Sequence, residues 1–474
     1  MPCRGQGEIA GMNDQTIAAR IDRLPISPMH RRLLFILAVP LFFDVGDIFT
    51  FSNAAPALIK YWGITNGQIA LATASGFLGM AIGGTLGGIL ADRIGRIRAM
   101  MLFTATFSVF SLANGFVSTV PMLVALRFLT GLGIASATVS VITYIAELYP
   151  ATVRGRWQSW AMVIALMGIT VTSWVARLVI PLGENGWRWI FVWGAFGLPF
   201  LLVAQRMNES PRWLLRAGRR EEAEASLRRI EAEVERTNGR LPDPPPQMPR
   251  PAVPTLGWSA LFSQAHIRPT VSLCAIWFFQ TIGFYGFMSW VPTLLARQGF
   301  ELVHSLNYIT LINLGALPGA LFAVFLSERW ERKYSIVGVA LAIALFGLLY
   351  GLSFTPVAIV IFGFLAATMM DTFSALAFSY TPEQFPTDVR NSGTGLAYGV
   401  GRLANVINPF VISALFAGFG YQTVFAYIAG AWVVTAAIAL AFGMKTTGRS
   451  LETISEQPAE EAGIALPRAS EAAQ

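Results

Sequence analysis

Twelve separate runs of predominantly apolar residues, each about as long as a bilayer is thick, dominate this 474-residue chain. A helix needs about 20 such residues to cross the hydrocarbon core. The runs cover 33–58, 68–90, 97–119, 121–147, 157–180, 187–207, 269–295, 306–326, 335–354, 356–380, 391–418 and 421–444. Composition agrees: 54% of residues are hydrophobic and only 13% charged, about half the charge of a soluble domain. A disordered chain, a disulfide scaffold and an ordinary soluble enzyme are excluded. The expected fold is all-α and integral to the membrane, with twelve transmembrane helices in two pseudo-symmetric halves.

Formal net charge is +7, and its distribution speaks for topology rather than nucleic acid. Lys60, Arg188 and Arg297 fall in loops on one side, and Arg127, Arg177 and Arg402 inside spans. All other Lys and Arg lie in the leader, the tail and the loops after even-numbered spans. Basic loops stay cytoplasmic, so both termini are expected inside. Cys3 and Cys274, and His30, His266 and His304, have no disulfide or metal-ligand spacing. No cleavable signal peptide is read, because the first apolar run follows a long polar leader and is too long. Met12 is an alternative start.

The expected organisation is a leader at 1–32, six-helix bundles at 33–207 and 269–444, a central cytoplasmic loop at 208–268 and a tail at 445–474. Within the loop, 211–236 reads as amphipathic helix, with Trp213, Leu214, Leu227 and Ile230 on a charged surface. The stretch 242–254 is Pro-rich and expected to be extended or disordered. The leader holds a short amphipathic piece at 17–24.

The halves repeat. Glu147-Leu-Tyr-Pro150-Ala-Thr-Val-Arg154 returns as Glu383-Gln-Phe-Pro386-Thr-Asp-Val-Arg390, a shift of 236 residues. The same shift takes Gly83 to Gly319, Tyr144 to Tyr380, Asp92-Arg93 to Glu328-Arg329 and Arg96 to Arg332.

These motifs resemble the major facilitator superfamily. Gly88-Ile-Leu-Ala-Asp92-Arg93-Ile-Gly95-Arg96 is similar to its signature loop, and Arg127-Phe-Leu-Thr-Gly131-Leu-Gly133 to its second motif. Glu209-Ser-Pro-Arg212-Trp213-Leu214 and Thr447-Gly448-Arg449-Ser450-Leu451-Glu452 resemble the sugar-porter and organic-ion-transporter branch. The resemblance implies a secondary transporter with parallel six-span repeats and a site near the midplane between them. Sugar porters carry a Gln in span five where this chain has Gly168-Ile169, and of their span-seven polar pattern only Gln280 remains. Both departures weigh against a hexose site. Phe43-Asp44-Val45-Gly46-Asp47 resembles bacterial transporters of niacin, aromatic acids and related metabolites, which implies a bacterial inner-membrane location.

Ionisable residues in mid-span cost enough to face a cavity or a partner. Asp44 and Asp47 share one face of span one. Paired carboxylates there favour holding a proton, which Arg127 in span four would oppose. The resemblance matches Asp47 and Arg127 to the coupling aspartate of proton-coupled sugar porters and its arginine. The alternatives are a purely structural pair and direct substrate contact. Arg402, on one face of span eleven with Asn405 and Asn408, either binds an anionic substrate or pairs with Asp371 of span ten.

Trp160, Trp174, Trp277, Phe284, Tyr285 and Tyr398 fall in helices that line the cavity of such transporters. Gln280 is the repeat-related position of Asp44. Gly283 and Gly286 are expected to break helix seven as a gate. Gly76, Gly79, Gly83, Gly84, Gly87 and Gly88 of span two suit close helix packing. Asp92, Arg93, Arg96, Glu147, Arg154, Glu209, Arg212, Glu328, Arg332, Glu383 and Arg390 gather at helix ends on one side. The resemblance implies a latch between the halves; topology and headgroup contact are the alternative. Exposed pairs contribute only about 0–1 kcal/mol each, so a latch needs a network.

The expected function is proton symport of a small organic acid or sugar-like metabolite, in a monomer partnered by substrate, proton and lipid. Uniport or efflux of amphipathic compounds, and nutrient sensing, are the alternatives. No cofactor, nucleic acid or metal is expected. No P-loop appears, so the proton gradient rather than ATP would supply the energy. No nucleophile–base or metal constellation suggests an enzyme.

Overall fold

The computed structural model describes residues 14–150, 152–244, 258–264, 266–297, 302–385 and 389–445, with the side chains of Asp14, Gln15, Trp258, Arg297, Leu302, Val303, Leu317, Ser327, Glu328, Arg390 and Asn391 outside the description. Cys3, Met12, most of the Pro-rich stretch and the 447–452 motif also lie outside the described residues. Among the described residues, twelve helices are long and apolar enough to cross a membrane. They are Pro28–Trp62, Asn66–Ile94, Arg96–Asn114, Val120–Leu148, Arg154–Leu182 and Gly186–Ala204, then Ile267–Ala296, His304–Leu326, Arg332–Gly351, Pro356–Glu383, Ser392–Phe419 and Tyr421–Phe442. The chain divides into two units, one from Met1–Ile64 with Ser75–Arg250, the other from Thr65–Ala74 with Pro251–Gln474.

The two units share one packing plan. In the first, span one packs on five and six, and three on four and six. In the second, seven packs on eleven and twelve, and nine on ten and twelve. Spans two and four approach so closely that a Cβ at Gly79 would lie 2.1 Å from the Phe128 carbonyl oxygen, and one at Gly83 2.3 Å from that of Leu132. Gly87 meets Ser136 in the same way. Spans eight and ten repeat this: a Cβ at Gly319 would lie 2.5 Å from the Thr368 carbonyl oxygen. Glycine alone permits such approach, and small-residue faces drive helix association where lipid removes the hydrophobic incentive.

Single bonds repeat too. Ser136 donates to the Gly83 carbonyl at 2.7 Å, and Thr372 to that of Gly319 at 3.0 Å. Thr119 caps span four by accepting from the Met122 amide, and Thr355 caps span ten by accepting from that of Ala358.

Four local features differ from expectation. Span seven is unbroken through Gly283 and Gly286. These glycines admit neighbours instead: a Cβ at Gly283 would sit 2.2 Å from Trp432 Nε1, and one at Gly286 3.3 Å from Asn408 Nδ2. The break falls in span six, where helices Gly186–Gly194 and Pro199–Ala204 flank a 3-10 turn, Ala195–Gly197. Span eight is likewise divided, into Leu302–Asn313 and Ala316–Arg329. The amphipathic stretch after span six forms two helices, Pro211–Arg216 and Arg220–Asn238. They are separated at Gly218, whose φ of +76° a helix cannot continue through.

The leader forms helix Asp14–Asp22. Its Ile17 and Ile21 are buried against Trp213, Leu214, Ala223 and Leu227. Arg20 bonds Glu224 at 2.7 Å and Glu231 at 2.6 Å, and Arg23 bonds Glu231 at 2.6 Å. Burial acts to raise both carboxyls, but Arg20 with Arg228 at Glu224, and Arg20 with Arg23 at Glu231, hold each below the usual Glu range.

Candidate functional site

In the first unit, charge is buried at mid-span. Asp44 and Asp47 are 0% and 1% exposed. Asp44 accepts from the Thr138 hydroxyl of span four. Asp47 Oδ2 accepts from Arg127 Nη1 at 3.1 Å, and Oδ1 from the Ser111 hydroxyl of span three. Arg127 is 6% exposed, and its guanidinium lies 5.1 Å from the Phe51 ring centroid. A Cβ at Gly76 would be 3.5 Å from Nη2. So four spans enclose the pair: one supplies acid and ring, two the glycine, three the hydroxyl and four the base. Among nearby groups, sequence reasoning missed Ser111, Thr138 and Phe51. Hydroxyls are common in membrane helices, and only the spacing of Ser111 from Ser108 and Thr104 marked a polar face.

The repeat gives this cluster an internal control. A shift of 236 takes Asp47 to Gly283, Ser111 to Gly347 and Arg127 to Gly363. The same architecture therefore stands in the second unit with no charge at any of the three positions.

The second unit carries a different set. Trp277, Phe378 and Tyr398 pack edge to face, with centroids 4.3–5.2 Å apart. Trp277 Nε1 donates to Thr381 at 2.8 Å. Gln280, 5% exposed, donates to Thr281 at 2.7 Å. Arg402 is half-buried and within electrostatic range of Tyr285. Asn405 is buried, and its Oδ1 has no hydrogen-bond partner among the described residues. Asn408 is structural: it donates to the Ile282 carbonyl at 3.0 Å and accepts from Tyr427 at 3.3 Å. The expected alternative, an Arg402–Asp371 pair, does not form among the described residues. Asp371 instead lies on the face of span ten that packs on span eight, its Cβ 3.0 Å from where Gly319 would carry one.

Trp160, of span five, is half exposed, as is Trp174 at 41%. Gly168 leaves no room for any side chain, because a Cβ would lie 2.1 Å from the Phe42 carbonyl oxygen.

The remaining charges cluster at helix ends, within each unit. Arg96 bonds Asp92 at 2.5 Å and Glu147 at 2.8 Å. Glu209 accepts the backbone amides of Arg96 at 3.0 Å and Ile97 at 3.1 Å, which caps span three. Burial pushes its carboxyl up, against those amide bonds. Gly95, at φ +104°, leaves that carboxylate its place: a Cβ would lie 2.4 Å from Oε2. Arg332 pairs with Glu383, the repeat of Arg96 with Glu147. Arg93 is exposed, Arg212 half-buried, and Arg154 donates to the Ala146 carbonyl at 3.3 Å.

Comparison with known proteins places this geometry. YyaJ of Bacillus subtilis is 42% identical over 92% of this chain and 96% of its own. The niacin transporter NiaP of Acinetobacter baylyi is 31% identical over 92% of this chain and 99% of its own. A partially occluded, inward-open structure of the xylose transporter XylE from E. coli superposes with a TM-score of 0.72 at 19% identity, covering 90% of this chain and all of that one. The model of the sugar (and other) transporter family matches residues 43–457. With twelve spans, a six-span repeat and its signature loops in place, the chain belongs to the sugar (and other) transporter family and has the major facilitator fold.

Proposed function

We propose that the chain is a proton-coupled secondary transporter that imports a small aromatic or heteroaromatic acid by alternating access. One observation carries the reading: the buried Asp47–Arg127 pair has only glycines at its repeat-related positions. The fold therefore does not require it. Leaving one charge of such a pair alone is costly, so proton uptake by Asp47 would free Arg127 and alter how spans one and four hold each other. That makes the pair a two-state element that a proton biases.

Substrate recognition is assigned to the second unit. Arg402 offers a planar fork for a carboxylate. Trp277, Phe378 and Tyr398 offer aromatic faces, and Gln280, Tyr285 and Asn405 hydrogen-bonding groups. Niacin, the substrate named for NiaP, is an acid on an aromatic ring, which suits this set. The pairs Arg96–Glu147 and Arg332–Glu383, with Asp92 and Glu209, would tighten in one state and loosen in the other. Both termini face the cytoplasm of a bacterial inner membrane, the protein works as a monomer, and the proton gradient replaces any cofactor.

The test is uptake into proteoliposomes with and without an inward proton gradient, over nicotinate, benzoates, sugar acids, pentoses, hexoses and one organic cation. Gradient-driven accumulation of the aromatic acids is expected. Equilibration alone would leave uniport; outward movement would mean efflux; no movement of any compound would favour sensing.

A further inference from the structure

Six carboxyl side chains are buried among the described residues: Asp44, Asp47, Glu147, Glu224, Glu231 and Asp371. Five have partners. Asp44 bonds Thr138, Asp47 bonds Arg127, Glu147 bonds Arg96, and Glu224 and Glu231 both bond Arg20. Asp371, midway along span ten and 7% exposed, has none among the described residues. Of the spans packed on span ten, seven carries Arg268, Cys274 and Tyr285, and eight His304, Tyr308 and Arg329. Nine carries Arg332, Lys333, Tyr334 and Tyr350, and eleven Tyr398 and Arg402. None of these acts on Asp371; Arg402 acts on Tyr285 instead. A charge left alone at such depth is costly, so this acid is stable there only with a proton on it.

The fold does not ask for the acid. A shift of 236 takes Asp371 back to Ala135, buried at the same place in span four. The neighbouring Thr372 keeps the scaffold bond to Gly319 that Ser136 makes to Gly83. What does change beside Asp371 is the partner helix. Span eight is divided where its repeat, span two, runs unbroken. Pro318 stands where span two has Ile82 and offers the Leu314 carbonyl no amide. Leu314 and Gly315 donate to the carbonyls three residues back, Leu311 and Ile312. A Cβ at Gly315 would lie 2.7 Å from Thr368 Oγ1, and one at Gly319 3.0 Å from Asp371 Cβ. The lone acid therefore faces span eight within about a turn of the point where that helix is weakest. So close a seam has no space for a metal ion, which needs several oxygen ligands. A proton needs one.

We propose that Asp371 is a second proton site: it crosses with the substrate as the neutral acid and gives up its proton on the far side, so that each turnover carries two protons. This rests on the proton-coupled reading above, in which Asp47 carries the first. Uptake forms one O–H bond on the carboxylate and release breaks that bond, with no other atom exchanged. As the neutral acid, Asp371 lies in the closed seam between spans eight and ten. As a carboxylate it would strand a charge there, and the seam loosens at the Leu314–Gly315 turn to hydrate it. Asp47, through Arg127, still decides whether a crossing occurs, so its loss uncouples transport whatever Asp371 holds.

The experiment uses the full chain in proteoliposomes and the compound of the panel above that the wild type accumulates. Asp371→Asn keeps the shape without the titration. Asp371→Ala installs the residue that the first unit carries there, and serves if asparagine does not fold. A trapped pH dye and labelled substrate together give protons moved per molecule. The ratio is expected to be two in the wild type and one in both variants. A second readout holds pH equal on both sides and sets an inside-negative potential with a potassium gradient and valinomycin. A potential of about 100 mV multiplies accumulation about 50-fold for each net charge carried in. Both variants, one charge short, should therefore accumulate about 50-fold less than the wild type at that potential. Counterflow, which moves no net proton, should stay at the wild-type rate. A ratio of one in the wild type, or an unchanged ratio in the variants, would overturn the second site and leave the first standing. So would loss of counterflow in step with accumulation, which marks a structural or substrate-binding role. A wild type that accumulates nothing under either gradient contradicts the coupled reading itself, and the second site with it.

Discussion

Spans three and four of the first unit meet through Arg96 and Glu147; spans nine and ten of the second meet through Arg332 and Glu383. Tyr144 reaches the Asn208 carbonyl at 2.5 Å, and Tyr380 that of Met444 at 2.9 Å, again 236 residues on. Scaffold contacts thus recur pair by pair. Mid-span chemistry does not. Asp47, Ser111 and Arg127 become Gly283, Gly347 and Gly363, whereas Arg402 and Asn405 correspond to Leu166 and Ile169. The comparison teaches that what the repeat preserves holds the bundle together, and what it abandons is free to serve transport.

That division is broken or sharpened by paired substitutions. The largest difference is expected between Arg127→Ala and Arg332→Ala. The first strands a fully buried carboxylate and should cost about 3–5 kcal/mol. The second breaks a pair whose side chains are 25% and 21% exposed and should cost about 0–1 kcal/mol. Unfolding of the purified variants in detergent measures both; equal losses would erase the distinction. Next come Gly83→Ala and Gly319→Ala, where a Cβ meets backbone at 2.3 and 2.5 Å. Each should destabilise by about 1–3 kcal/mol, and near-equality would confirm that the scaffold is duplicated in energy as well as geometry. Smaller still, Tyr144→Phe and Tyr380→Phe should each lose about 0.5–1.5 kcal/mol.

The smallest effect concerns a contact with no counterpart among the described residues of the second unit, the leader helix. Glu224 and Glu231 are held below their usual range, so their stabilisation is complete above the ordinary Glu pKa. It is lost as pH falls through the lowered values. Amide exchange of residues 14–22 should therefore quicken on acidification below the usual carboxylate range, and should already be fast at neutral pH in Arg20→Ala. Protection indifferent to both would detach the charges from docking.

Much of this was legible in the sequence. A constant shift of 236 across several loops gave the duplication, and hydropathy placed twelve spans because lipid leaves a helix few alternatives. The Asp47–Arg127 pair was legible because a mid-span charge needs a partner. Other features were not, for nameable reasons. A glycine either breaks a helix or admits a neighbour. Only the position of Trp432 shows that Gly283 does the latter, while the actual break hides in the equally apolar Gly194–Pro199. Of the two alternatives for Arg402, the pair with Asp371 does not form among the described residues; spacing along one helix does not give its rotation towards another. Gly218 was visible as a helix end within 211–236, yet the charged periodicity on either side masked it. The amphipathic leader showed a face without showing what covers it.

The central claim, that Asp47 couples a proton to transport rather than merely holding span four, is tested most directly by Asp47→Asn in proteoliposomes. Asparagine keeps the shape and a hydrogen bond to Arg127 but cannot exchange a proton. The account predicts that gradient-driven accumulation disappears while counterflow of the same substrate persists. Accumulation at the wild-type level in that variant would contradict it.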